Sequence, residues 1–280
     1  MSTKQTNLKI VNNQRPVIPN LITIASGKGG VGKTWFAITL AHSLARQGKR
    51  VLLFDGDLGL ANVDVQLGLT PEQDLANVIA GRITFGEAVT AFNGGADGVA
   101  NYAPEDGELT GAGFDVVAGR SGSGTLGSLT RGQLAELIHG LKKISTSYDY
   151  VICDLAAGID NAAKMLSTPS GKVYVVLTDE PTSLTDAYAY IKVMAMRFPD
   201  IPIEVVVNMA TDPVEGKRTF ATLAKACDNF LDFQPKLAGI IHRDTEVKKT
   251  IRQQAPLMDR SPMAKAAIDV RGIAEKTLKI

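Results

Sequence analysis

Between an apolar run at Leu21–Ala25 and a stretch of helical period from Trp35 to Arg46, the chain reads Gly27-Lys28-Gly29-Gly30-Val31-Gly32-Lys33-Thr34. This is the pattern G-x-x-x-x-G-K-[ST] set between a strand and a helix, the context that makes it a phosphate-binding loop. Its glycines let backbone N–H groups turn onto phosphate oxygens, and the helix N-terminus behind them adds a positive dipole. Residues 27–34 and Trp35 are therefore read as nucleotide-binding, for ATP or ADP. Lys33 is placed to neutralise the β- and γ-phosphates, and Thr34 to offer its hydroxyl to Mg²⁺.

Such a loop requires a buried parallel strand before it, and the apolar, β-branched run at 21–25 supplies one. Further apolar runs at 51–54, 114–117, 148–153, 172–177, 203–207 and 236–241 alternate with helix-period segments at 129–144, 181 onward, 214–230 and 261–280. That alternation predicts one α/β domain, a mostly parallel twisted sheet with helices on both faces. The segment 68–82 reads as a turn and a short helix, and the C-terminal helix places Ile268, Ile273 and Leu278 on one face. Residues 1–19 read as a flexible polar tail, residues 20–280 as the domain, and the Gly-rich acidic stretch near 93–113 as an inserted surface loop.

Two strands end in carboxylates, at Asp55-Gly56-Asp57 and at Asp154. In α/β sheets the C-terminal strand edge is where ligands bind, which makes Asp57 a candidate for the reaction centre. Asp154 follows Tyr150-Val151-Ile152-Cys153 as a Walker B carboxylate and, with Thr34, is read as a metal ligand. With 45% hydrophobic and 21% charged residues and a net charge of +1, the 280 residues give no global reason to expect nucleic acid. Cys153 and Cys227 lack a C-x-x-C spacing, which speaks for a reducing cytoplasmic compartment and against a zinc or iron–sulfur site. No run has the length and apolarity of a membrane span, and the N-terminal residues lack the apolar core of a signal peptide.

A second lysine inside the loop, Lys28, gives K-G-G-V-G-K-T, which resembles the deviant Walker A of the MinD/ParA class of ATPases. The resemblance implies a homodimer in the ATP state, with Lys28 reaching across to the partner's ATP. It also implies that Asp57, in D-G-D-L-G-L-A-N-V-D, orients the attacking water while Asp55 holds the loop's shape. Asn62 and Asp64 would line the dimer face, and Gly158, in D-L-A-A-G, would let the second switch respond to the γ-phosphate. Leu155 departs from the small or polar residue expected there. Asn208 would hydrogen-bond the adenine, a role for which an amide's paired donor and acceptor are suited.

Within that class, the runs at 58–69, 156–160, 179–189 and 207–210 are most similar to flagellar-number regulators of the FlhG/FleN type. The resemblance implies a cytoplasmic ATPase controlling the number and placement of flagella, peripheral at the inner membrane or cell pole. Its implied partners are an SRP-type flagellar GTPase and a flagellar transcription factor or basal-body protein. Two family features are missing. There is no clear D-Q-x-x-x-L-R element near the N-terminus, and the C-terminus has no strongly amphipathic helix with aromatic anchors. The alternatives are a ParA-like ATPase positioning DNA or other cargo, with Lys217, Arg218, Lys225, Lys248, Lys249 and Arg252 as its footprint, and a metabolic P-loop ATP-dependent enzyme. DNA is disfavoured by the net charge. His242 stands where the family has a proline and is not needed as a base.

Overall fold

In the computed structural model, residues 16–93, 113–119 and 129–279 are described. The elements run β1 (Ile18–Ala25), α1 (Lys33–Ala45), β2 (Val51–Gly56), α2 (Val63–Leu67), α3 (Leu75–Ile79), β3 (Val89–Phe92) and β4 (Phe114–Val117). They continue α4 (Arg131–Ser145), β5 (Tyr150–Leu155), α5 (Asn161–Ser167), β6 (Ser170–Leu177), α6 (Pro181–Arg197), β7 (Ile203–Ala210) and α7 (Pro213–Leu231). The last are β8 (Lys236–His242), α8 (Thr245–Arg252), α9 (Leu257–Arg260) and α10 (Lys265–Thr277).

The eight strands form one sheet in the order β3-β4-β2-β5-β1-β6-β7-β8. All pairings are parallel except that of β3 with β4. One face is covered by α3 to α7 and the other by α1, α2, α8, α9 and α10. β1 is central, so its loop opens at the middle of the C-terminal edge, between the edge loops of β5 and β6. α1 is buried nearly all round, from Lys33 to Ala45, and its small residues Ala37, Ala41 and Ser43 let it sit tightly between the sheet and α10.

Several expectations are corrected here. β1 begins at Ile18, which is only 1% exposed, so residues 18 and 19 belong to the sheet and not to a tail. Pro19 is accommodated because the β1–β6 register shifts between Ile18 and Ile22, and because residue 171 is glycine. A Cβ there would meet the Pro19 carbonyl at 2.1 Å. The C-terminal helix buries Ala266, Ala267, Val270, Ile273, Ala274 and Thr277, whereas Ile268 is 45% exposed. Residues 268 and 273 are five apart and so lie on different faces of a helix that turns every 3.6 residues. β3, α5, α8 and α9 are additional to the elements read from sequence. The 93–113 insertion, apart from its two end residues, and the tail up to residue 15 lie outside the described residues.

His42 of α1 is 1% exposed, against the Phe114 ring and with Nε2 3.5 Å from an Asp259 carboxylate oxygen. Burial lowers its pKa from 6.5 to about 4. A histidine depressed in the folded state contributes stability above its unfolded pKa and loses it as pH falls toward the folded value. Between pH 7 and 5, urea unfolding of the wild type should lose on the order of 2 kcal/mol more than that of His42→Gln. Equal losses would show that His42 does not carry this titration.

Candidate functional site

The loop at residues 27–34 is shaped by its glycines. Gly30 and Gly32 have φ of 79° and 85°, a region that a side chain disfavours. Gly32 is the N-cap of α1 and carries no side-chain cap, and the first turn's bonding starts only with Phe36 N–H to the Gly32 carbonyl, 3.0 Å. The N–H groups of Lys33, Thr34 and Trp35 thus point out of the helix end, as an anion site requires. Gly27 serves a different need. A Cβ at residue 27 would fall 2.2 Å from the Asp186 backbone, so α6 presses directly on the loop.

Beneath the loop lies the charged cluster. Asp154, 1% exposed, accepts a hydrogen bond from Thr34 Oγ1 at 2.6 Å and faces Lys33 Nζ at 3.3 Å. Burial raises its pKa, opposed by the Lys33 charge and the Thr34 bond. Asp55 stands beside it, because β2 and β5 pair in a register that sets Asp55 against Asp154. Full burial, and secondarily the Asp154 charge, push Asp55 up to about 7. One oxygen of Asp55 accepts Asp57 N–H at 3.2 Å, and the other accepts Asn62 and Val63 N–H at 3.1 Å each. Asp55 therefore staples the loop that follows β2 from within.

On that loop Asp57 is half-buried, and its Oδ1 accepts the N–H groups of Gly59 at 3.3 Å and Leu60 at 2.9 Å. Asn62 is exposed, donating to the Leu60 carbonyl at 2.5 Å, and Asp64 is half-buried, its pKa raised by burial. On the other side, Gly158 has φ of 103° and donates its N–H to the Ser26 carbonyl at 2.8 Å. Leu155, unexpected from sequence, is the last residue of β5 and fully buried among apolar side chains, so it acts in packing.

Asn208 is 3% exposed and donates through Nδ2 to the Val31 carbonyl at 2.8 Å, while its Oδ1 accepts Met209 N–H at 2.9 Å. The Nδ2 end thus braces the loop, while the Oδ1 end is held by the backbone of β7 itself. Trp35 is 6% exposed and its indole packs in the α1 side of the core, so it faces the site only through its backbone N–H. His242 bonds Asp269 Oδ2 through both its backbone N–H, at 2.8 Å, and Nδ1, at 2.7 Å, which ties β8 to α10.

Lys28 is not free within the chain. Its Nζ bonds the Glu180 carboxylate and Thr182 Oγ1, the latter at 2.9 Å. Sequence reasoning missed Glu180 and Thr182; the available signal was an acid directly before the proline that opens a helix. The donors Thr34 and Asp154 fit a hard cation that completes its shell with phosphate oxygens and water, as Mg²⁺ does. Among the described residues no group of three or more His, Cys, Asp or Glu could hold a metal alone.

Residues 22–257 match the family profile described as the CobQ/CobB/MinD/ParA nucleotide binding domain. The chain is 37% identical to the antiactivator FleN of Pseudomonas aeruginosa over 96% of this chain and 89% of that protein. It is 28% identical to the flagellum site-determining protein YlxH of Helicobacter pylori over 91% of this chain and 82% of that protein. Its fold matches the septum site-determining protein MinD of Pyrococcus horikoshii, complexed with Mg-ADP, with a TM-score of 0.69 and 20% identity over 93% and 96% of the two chains.

Adding a methyl at residue 27 must push α6 off the loop. Gly27→Ala should cost about 1–3 kcal/mol in urea unfolding and weaken ADP binding at least about tenfold in calorimetry. Unchanged stability and affinity would mean that the loop and α6 can separate freely.

Proposed function

The chain belongs to the CobQ/CobB/MinD/ParA nucleotide-binding family, and on that premise we propose that it is an ATP-dependent dimerising switch regulating the number and placement of flagella. The observation that carries the chemistry is the joining of Thr34, Lys33 and Asp154 at the N-terminus of α1, with Asp57 on the adjoining loop. The flagellar assignment is supported by the names of the relatives, an antiactivator and a flagellum site-determining protein. Those names favour it over DNA positioning, and Lys249 of the basic footprint is paired with Glu246 at 2.6 Å.

In the proposed cycle the N–H groups of residues 33–35 and the Lys33 ammonium grip the polyphosphate. Thr34 and Asp154 would hold Mg²⁺, which when bound neutralises charge on the β- and γ-phosphates. In this reading Asp57 orients the attacking water, and the Asn208 amide would exchange its bond to the Val31 carbonyl for the adenine edge. Lys28 supplies positive charge to the partner subunit's phosphates. A cation delivered in trans to a phosphoryl transition state is worth roughly 10³–10⁵ in rate. Hydrolysis is therefore slow in the single subunit and coupled to pairing.

An SRP-type flagellar GTPase and a flagellar transcription factor or basal-body protein are the proposed readers of the paired state. No described helix is long and apolar enough to cross a membrane. A peripheral contact at the inner membrane or cell pole belongs to the same proposal.

Light scattering with no nucleotide, with ADP, and with ATP plus Mg²⁺ tests the cycle. Wild type should pair only with ATP, Asp57→Ala should remain paired because hydrolysis stops, and Lys28→Ala should stay monomeric. Normal pairing and hydrolysis by Lys28→Ala would sink the trans role.

A further inference from the structure

The loop and the start of α6 approach more closely than phosphate binding requires. Because α6 presses on Gly27 at the Asp186 backbone, the next side chain, Lys28, is delivered to the N-terminus of α6. An ammonium there meets the positive end of a helix dipole and needs a nearby carboxylate to remain. Glu180, immediately before Pro181 at the first position of α6, makes no capping bond and spends its carboxylate on Lys28. Thr182 adds its hydroxyl at 2.9 Å.

The Lys28 side chain is 35% exposed and that of Glu180 59%, so the contact opens at modest cost. Arg243, just after β8, also helps to hold the Glu180 carboxyl below its usual range, after the larger effect of Lys28. A Glu180 released from Lys28 would therefore keep a cationic neighbour.

We propose that Glu180 and Thr182 form a latch that keeps Lys28 on its own subunit, and so set the protein concentration at which nucleotide-loaded subunits pair. The competitor for Lys28 is the polyphosphate bound to a second copy of the chain. Pairing breaks two latches, one per subunit, so the latch enters the dimer constant twice. An exposed ion pair that shifts each Lys28 about threefold shifts the dimer Kd about tenfold. The inference rests on the trans role of Lys28.

The test measures dimer Kd by sedimentation with AMPPNP and Mg²⁺ for wild type, Glu180→Gln and Lys28→Ala, together with each protein's ADP affinity by calorimetry. Glu180→Gln keeps the side chain's size and removes its charge. It should lower the dimer Kd about tenfold and leave ADP affinity unchanged. Because an exposed ionic contact is screened, that advantage should narrow between low salt and about 1 M salt.

An unchanged or raised dimer Kd in Glu180→Gln would overturn the latch. So would an altered ADP affinity, which would put Glu180 in the nucleotide site itself. Lys28→Ala separates the two levels. If it pairs normally, the trans reading fails and the latch fails with it; if it stays monomeric while Glu180→Gln pairs no more readily than wild type, only the latch fails.

Discussion

The structure depends on keeping charge out of water at the end of β1. Lys33, Asp154 and Asp55 are all buried at the centre of the sheet's C-terminal edge, and the two carboxylates stand side by side on paired strands. Taken alone this is a costly arrangement, because a buried ion pair seldom repays its desolvation. It persists because each group is bonded from several directions: Thr34 and Lys33 on Asp154, and three backbone N–H groups on Asp55. The apolar layers on both sheet faces hold these groups in place. What they create is a compact oxygen-rich site beside a helix N-terminus, suited to a polyphosphate and its cation.

The surfaces around that site are tied to it by hydrogen bonds. Asp55 reaches the loop carrying Asp57, the Ser26 carbonyl takes the N–H of Gly158, and the Val31 carbonyl takes the amide of Asn208. Ser26 and Val31 adjoin or belong to the phosphate loop, and Asp55 stands beside Asp154 beneath it. Three separate places on the edge are thereby bonded to the loop or to the charged cluster beneath it. Lys28 is a fourth, and there the partner is an exposed acid at the head of α6, the weakest and most readily exchanged of the set.

Much of this was legible beforehand because its signals are local. The glycine pattern, the strands ending in aspartate and the proline opening α6 each state their own geometry within a few residues, and the observed elements follow them closely. The misreadings are those in which distant residues decide. β3 is a short edge strand of Val89–Phe92 that exists only because β4 offers it an antiparallel partner. The start of β1 was hidden by two prolines and became visible only through Gly171, which lies 152 positions from Pro19 in the chain and against it in space. The exposed Ile268 shows that a list of large apolar residues is a poorer guide to a buried face than the spacing of the alanines around them.

The sequence by itself determined the architecture, the phosphate loop, the two strands that end in aspartate beside it and the family, because strand and helix period and a glycine-rich anion loop are properties of contiguous residues. Only the tertiary structure decided which functional groups are already engaged. It turned the amide of Asn208 onto the loop backbone, sank the Trp35 indole into the core, bound His242 to Asp269 and gave Lys28 a carboxylate of its own chain. Those outcomes depend on which strands and helices meet at the sheet's edge, and residues brought together across 27 to 177 positions leave no trace in local pattern.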